Sequence, residues 1–255
     1  MEIKDQLKIH RFDTRKQMGA AAAAMVADKI RELLGVQEHL NIIFAAAPSQ
    51  QEFLEALAGD SSIPWNRINA FHMDEYAGLY PDAPQGFGNF LKARLFGKVP
   101  FRAVHYINGN AADLNEECAR YAALLEKEGV DIVNMGIGEN THIAFNDPHV
   151  ADFEDPAAVK VVDLDQACRQ QQVNDGCFAT LNEVPTHALT LTVPTLFRAK
   201  FIYCMVPGPT KAEAIYHTIN APVAEEHPST ILRRHSRAHL FVDADSAAKL
   251  HTGNS

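Results

Sequence analysis

The chain predicts an α/β fold in which a mostly parallel sheet is covered by helices on both faces. Three observations carry this prediction. Short apolar runs of strand length alternate with segments whose apolar residues recur at helical spacing. Several of those runs end in glycine or proline turns that lead into a helix. No internal repeat, low-complexity segment or linker divides the sequence, so residues 1–255 read as a single domain long enough to bury a substantial core.

The elements follow in order. Thr14 to Leu34 is alanine-rich with helical periodicity, and Gly35 is a natural stop. Leu40 to Ala47 is a continuous apolar strand. Ser49 and Glu52 then form a capping-box pattern for a helix through Leu57. Asn66 to Met73 reads as a second strand, ending in His72-Met73-Asp74-Glu75-Tyr76. A Gly/Pro-rich loop spans Ala77 to Gly88, a helix Asn89 to Phe96, and a short strand Val104 to Ile107. Asp113 with Glu116 opens a helix reaching Glu128, and Val130 to Met135 is a buried strand. Val159 to Leu164 is β-branched and extended, followed by the polar, glutamine-rich Asp165 to Asp175. His187 to Val193 and Phe201 to Val206 are two further strands. The second runs through Pro207-Gly208-Pro209-Thr210-Lys211 into a helix ending at Ile219. Ser229 to His235 predicts a short helix and Ala238 to Val242 a last strand, which makes the architecture Rossmann-like.

Composition narrows the function. With 23 basic and 32 acidic residues the formal charge is −9, which argues against nucleic acid or an anionic membrane as a partner. Cys118, Cys168, Cys177 and Cys204 are scattered without a CxxC pair, as expected for reduced thiols. Met1 to Phe12 is charged and lacks an apolar leader, and no later run approaches membrane-span length. The expectation is a soluble cytoplasmic protein. A homo-oligomer is compatible with this sequence, which does not fix the oligomeric state.

The chemistry gathers at strand ends, where open α/β sheets bind ligands. The stretch from Gly136 to Pro148 (GIGENTHIAFNDP) follows the Val130–Met135 strand. Thr141 and His142 stand where a dinucleotide fingerprint needs a third glycine, so a nucleotide site is a poor reading of this stretch. His142 supplies a base near neutral pH, and Asp147 a carboxylate able to orient it; a loop histidine capping backbone groups is the alternative. Asp74 and Glu75 end another strand, where one carboxylate can face a cleft and the other brace the structure. Lys211 opens a helix after a Gly/Pro turn, Arg169 can add a bidentate contact, and Ser49 offers a hydroxyl at a helix start. Together these predict a phosphate site. No spaced second histidine accompanies His142 and Asp147, so no metal is expected, and no GxSxG elbow is present.

Met73-Asp74-Glu75-Tyr76, the Gly136–Pro148 motif and Gly208-x-x-Lys211 occur here in the order and separation that resemble the glucosamine-6-phosphate deaminases, over about Thr14 to Val242. The related 6-phosphogluconolactonases share that fold, but Ile143-Ala144-Phe145-Asn146 favours the deaminase side. The resemblance implies isomerisation of glucosamine 6-phosphate coupled to loss of ammonia, giving fructose 6-phosphate without a metal or organic cofactor. It implies that Asp74 takes the C2 proton, and that His142 serves ring opening with Asp147 and Asn140 around it. Ser49, Gly138, Arg169 and Lys211 are implied to hold the substrate and its phosphate.

Three positions depart from the family pattern. Asn140 replaces a usual aspartate, Asp147 a common glutamate, and Ala45-Ala46-Ala47-Pro48-Ser49-Gln50 a glycine-rich phosphate loop. His149-Val150-Ala151-Asp152 lacks the serines of the family's allosteric phosphate site, so activation by an N-acetylated sugar phosphate is not expected. Alternatives are a galactosamine-6-phosphate deaminase, a lactone hydrolase, or a non-enzymatic sugar-phosphate sensor. The retained Asp74 and His142 favour catalysis over sensing.

Overall fold

The apolar runs pair side by side in the computed structural model, which describes residues 1–251. A hairpin of β1 (Glu2–Lys4) and β2 (Leu7–Arg11) precedes α1 (Arg15–Leu34). Thr14 caps α1 by accepting the Gln17 backbone N–H. Next come β3 (Leu40–Phe44), α2 (Gln51–Ala58), β4 (Ile68–His72), β5 (Asp74–Tyr76), α3 (Phe87–Leu91) and β6 (Ala103–His105). Then follow α4 (Leu114–Glu128), β7 (Ile132–Met135), β8 (Val159–Asp163), α5 (Gln166–Asn174), β9 (His187–Leu191) and α6 (Val193–Phe197). The chain continues through β10 (Phe201–Val206), α7 (Ala212–Asn220) and β11 (Ala238–Val242).

The main sheet has the order β1-β2-β11-β10-β7-β3-β4-β6, and every neighbouring pair is parallel except the edge hairpin. Alternate residues of one strand feed two cores, because side chains in a strand point to opposite faces. Ile42 and Phe44 pack with Val26 and Ile30 of α1, whereas Ile43 packs with Tyr121 of α4 and Ile215 of α7. Each of these aliphatic side chains is fully buried, worth roughly 1.5–3 kcal/mol apiece. A second, antiparallel sheet of order β5-β9-β8 stands beside the first. The chain changes sheets at Met73, whose carbonyl accepts the Leu191 N–H at 2.8 Å.

The structure departs from the sequence reading at several points. The amino-terminal hairpin was not expected, since only Leu7 and Ile9 show a buried alternation amid charged residues. The Asp165–Asp175 stretch is helical, capped by Asp165, whose carboxylate accepts the Cys168 N–H. Its buried face is Cys168, Gln171 and Gln172, so polar residues concealed its periodicity. The Asn89–Phe96 helix begins earlier, at Phe87, and finishes in a π-turn over Lys92–Phe96. Ser229–His235 lies in a 3-10 stretch, Pro228–Arg234. The capping box of Ser49 and Glu52 does not form. Pro48 starts a tight 3-10 turn that takes in Ser49, and Glu52 instead accepts two hydrogen bonds from Arg15, at 2.5 and 2.9 Å.

Candidate active site

Strand order reverses between β3 and β7. From β3 the chain steps outward to β4 and β6, and from β7 it steps the other way to β10 and β11. Loops leaving the carboxyl ends of β3 and β7 therefore diverge and open a crevice, the general ligand position in such sheets. One cavity lies there, lined by Ser49, Asp74, Gly138, His142 and Lys211. Five of the eight site residues expected from sequence thus share one wall.

Asp74 owes its position to the sheet crossing. His72 is fully buried, and its Nε2 accepts the Ile107 N–H at 3.0 Å. Its Nδ1 accordingly carries hydrogen and donates to the Asp74 carbonyl at 2.8 Å. Glu75 turns away to accept N–H bonds from Tyr76, Phe87 and Gly88, so the two adjacent carboxylates divide into one lining the cavity and one brace. Burial, and secondarily the Glu75 charge, push the Asp74 carboxyl well above the usual carboxylate range.

His142 is held from two sides. Its Nδ1 lies 2.6 Å from Asn140 Oδ1 and 3.1 Å from Asp147 Oδ1. The Asn140 amide can face only one way, because its Nδ2 donates to Asp147 at 3.0 Å and to Asp165 at 3.2 Å. Both neighbours of Nδ1 are acceptors, so Nδ1 carries the hydrogen and Nε2 keeps the lone pair. Burial alone would raise Asp147, but hydrogen bonds from His142, Asn140 and the Asp165 backbone outweigh it and hold the carboxyl below its ordinary value. Asn140 therefore couples the histidine to the carboxylate. The imidazole lies so close over Gly138 that a Cβ there would stand 2.0 Å from its Cε1. Thr141 and Ala144 on either side adopt positive φ values of 70° and 49°, backbone strain concentrated around one side chain. That conformation is clamped by Ser229 N–H on the Thr141 carbonyl and by Asn146 Nδ2 on Ile143 and Leu191 carbonyls.

Lys211 ends the 3-10 turn Pro209–Lys211 ahead of α7. Gly208 enters that turn at φ 97°, where its N–H donates to Asp243. The lysine is 5% exposed, and burial lowers its pKa although Asp175 and Glu139 partly offset this. An anionic ligand would supply the missing countercharge.

Arg169 corrects the sequence reading. On α5 the inward positions are Cys168, Gln171 and Gln172, and Arg169 is turned about 100° from Cys168. Its Nη2 donates to the Leu181 and Val184 carbonyls at 2.7 and 2.9 Å, bracing the 181–184 turn. Among the described residues no arginine lines the cavity. Replacing Arg169 with alanine is expected to cost about 1–3 kcal/mol of stability and to leave KM within about twofold. Thermal melts and steady-state kinetics on the same preparation check this. The cavity also takes in Gln50 of the phosphate loop and two buried carboxamides that sequence reasoning passed over, Gln171 and Gln172. The only signal for those two was a glutamine-rich run on a segment with no visible helical face.

A carboxylate with a raised pKa, an imidazole oriented by two acceptors and a buried lysine gather around one crevice, a set of groups suited to proton transfer on a small anion. The comparisons with known proteins narrow the class. Residues 13–241 match the family described as "Glucosamine-6-phosphate isomerases/6-phosphogluconolactonase", and the chain belongs to that family. It is 39% identical over 184 residues to a glucosamine-6-phosphate deaminase of Exiguobacterium sp. (strain AT1b), covering 72% of this chain and 70% of that one. It is 34% identical over 238 residues to the glucosamine-6-phosphate deaminase of Exiguobacterium sibiricum, covering 89% and 92%. A solved monomeric glucosamine-6-phosphate deaminase superposes with a TM-score of 0.86 at 28% identity, over 94% of this chain and 99% of that one. The 6-phosphogluconolactonase of Thermotoga maritima superposes at 0.75 with 19% identity, covering 93% and 99%, a likeness of fold alone. No helix among the described residues is long and apolar enough to cross a membrane.

Proposed function

We propose that this chain, acting as a single domain, converts glucosamine 6-phosphate and water to fructose 6-phosphate and ammonia. The observation that carries the reading is the convergence of Asp74, His142 and Lys211 on one cavity at the switch point of the sheet. Lys211, with the Ser49 hydroxyl, binds the phosphate and fixes the sugar, so the later proton transfers take place within an assembled complex. His142 Nε2 moves the proton that opens the pyranose ring. Its Nδ1–H stays bound between Asn140 and Asp147, and the ionised Asp147 stabilises the imidazolium that forms. Asp74 takes the C2 proton and returns one to C1, which turns the open-chain amine into a ketimine. Water adds to the ketimine and ammonia leaves. A base with a raised pKa suits this step, since its conjugate acid must hand the proton back near neutral pH.

The test is release of ammonia and fructose 6-phosphate from a panel of hexosamine 6-phosphates, with 6-phosphogluconolactone alongside. Turnover confined to glucosamine 6-phosphate is expected. Hydrolysis of the lactone alone, or tight binding of one sugar phosphate with no turnover of any, would overturn the proposal.

A further inference from the structure

Beneath His142 lies a side chain that the proposed mechanism does not use. Cys168 comes from the first turn of α5 and is 1% exposed. Burial and the neighbouring carboxylates of Asp147 and Asp165 push its thiol well up, so it is a neutral S–H that donates to Asp147. A nitrogen of His142, a carboxylate oxygen of Asp147 and the Cys168 sulfur all lie within 4.8 Å of one another, and all three residues are buried. A tetrahedral zinc ion, with bonds of about 2.0–2.3 Å, holds its ligand atoms about 3–4 Å apart. Small side-chain movements therefore suffice to bring these three onto one ion. The contact already at 3.1 Å is between His142 Nδ1 and Asp147 Oδ1.

Charge fits as well as distance. Ionised Asp147 and a Cys168 thiolate supply two negative charges to a dication, and the Asp165 carboxylate, held by the Asn140 amide and the Cys168 backbone N–H, adds a third charge close by. The sulfur and the imidazole select zinc-class metals against magnesium and calcium, which take oxygen ligands. His142 borders the cavity, which gives an ion a route in from solvent.

We propose that His142, Asp147 and Cys168 form a binding site for a zinc-class divalent ion, and that its occupancy switches the enzyme off. The inhibitory half of this rests on the roles proposed for His142 and Asp147. Binding displaces the Cys168 thiol proton to solvent. His142 remains neutral as its hydrogen moves from Nδ1 to Nε2, so the lone pair needed for ring opening is lost. Nothing is oxidised or reduced, and one proton leaves for each ion bound. The three residues lie 5 and 21 positions apart, two on the loop that follows β7 and one on α5.

The experiment uses the full, tag-free chain, stripped with a chelator and titrated with Co²⁺ for spectroscopy and Zn²⁺ for inhibition. One Co²⁺ per chain with a thiolate-to-cobalt absorption band is expected, and zinc inhibition that a chelator reverses. Cys168→Ser keeps an O–H donor for Asp147 but removes the sulfur. It is expected to retain metal-free activity within about threefold and to lose the band. Half-inhibition should then need at least about 100-fold more zinc, no less than the loss of an outer-shell partner produces. Absence of the band in the wild type, or an unchanged inhibition midpoint in Cys168→Ser, overturns the site. The band is read without turnover, so the site can be tested even if the deaminase assignment fails. Should Cys168→Ser not fold, as judged by its melt, the wild-type band alone decides.

Discussion

Asp74→Asn is expected to lower kcat by about 10³-fold while leaving glucosamine 6-phosphate binding within a few-fold of wild type. Asparagine preserves the shape of the side chain but cannot take a proton from C2. The same substitution is expected to leave the melting temperature unchanged or raised at neutral pH. In the unfolded chain Asp74 ionises in the ordinary range, and in the fold burial and Glu75 hold its proton to much higher pH. The folded state therefore binds more protons between the two values. Its stability from this group is complete below the unfolded value and is lost as pH rises through the raised one. Removing a charge that the fold tolerates only for function should recover that loss, a trade of stability against activity. Melts of wild type and variant across pH 4–9 read the sign directly: the gap between them should widen in favour of the variant as pH rises. A variant that melts lower at every pH would show that the Asp74 carboxylate is a structural partner.

Gly138→Ala is the second large effect, expected to reduce kcat by about 10²-fold although the new methyl carries no chemistry. A Cβ at this position would sit 2.0 Å from Cε1 and 2.3 Å from both ring nitrogens of His142. The ring cannot slide away without breaking the Nδ1 contacts to Asn140 and Asp147, and the loop on either side is already strained at Thr141 and Ala144. Displacement of a proton-transfer group by about 1 Å is worth such a factor. The imidazole proton resonances should shift in the variant, while the sheet, read by far-UV circular dichroism, stays intact. Retention of near wild-type kcat would mean that His142 has no fixed position to lose.

Much of this architecture was legible in the chain because the central strands are apolar runs and the two long helices carry side-chain caps. Thr14 and Asp113 cap α1 and α4 as their positions predicted, and β3, β4, β7, β10 and β11 fall within their apolar runs. Failures occurred where local pattern and tertiary need part company. Two glutamines and a cysteine form the inner face of α5, so a helix that builds the site looked like polar loop. Arg169 read as a phosphate ligand because it is cationic and near the motif, but helical phase aims it at the carbonyls of residues 181 and 184. Asn140 was read as replacing a usual aspartate near His142. Its amide accepts from His142 and also donates to Asp147, and that second contact only side-chain geometry discloses.

The central claim is that Asp74 moves a proton between C2 and C1 of an amino sugar phosphate. Incubation of glucosamine 6-phosphate with the enzyme in D₂O, followed by NMR of the products, tests it most directly. Ammonium and fructose 6-phosphate bearing deuterium at C1 are predicted from the wild type, with neither product nor loss of the C2 proton in Asp74→Asn. Ketose formation by Asp74→Asn at the wild-type rate, or no ketose from the wild type, would contradict the claim.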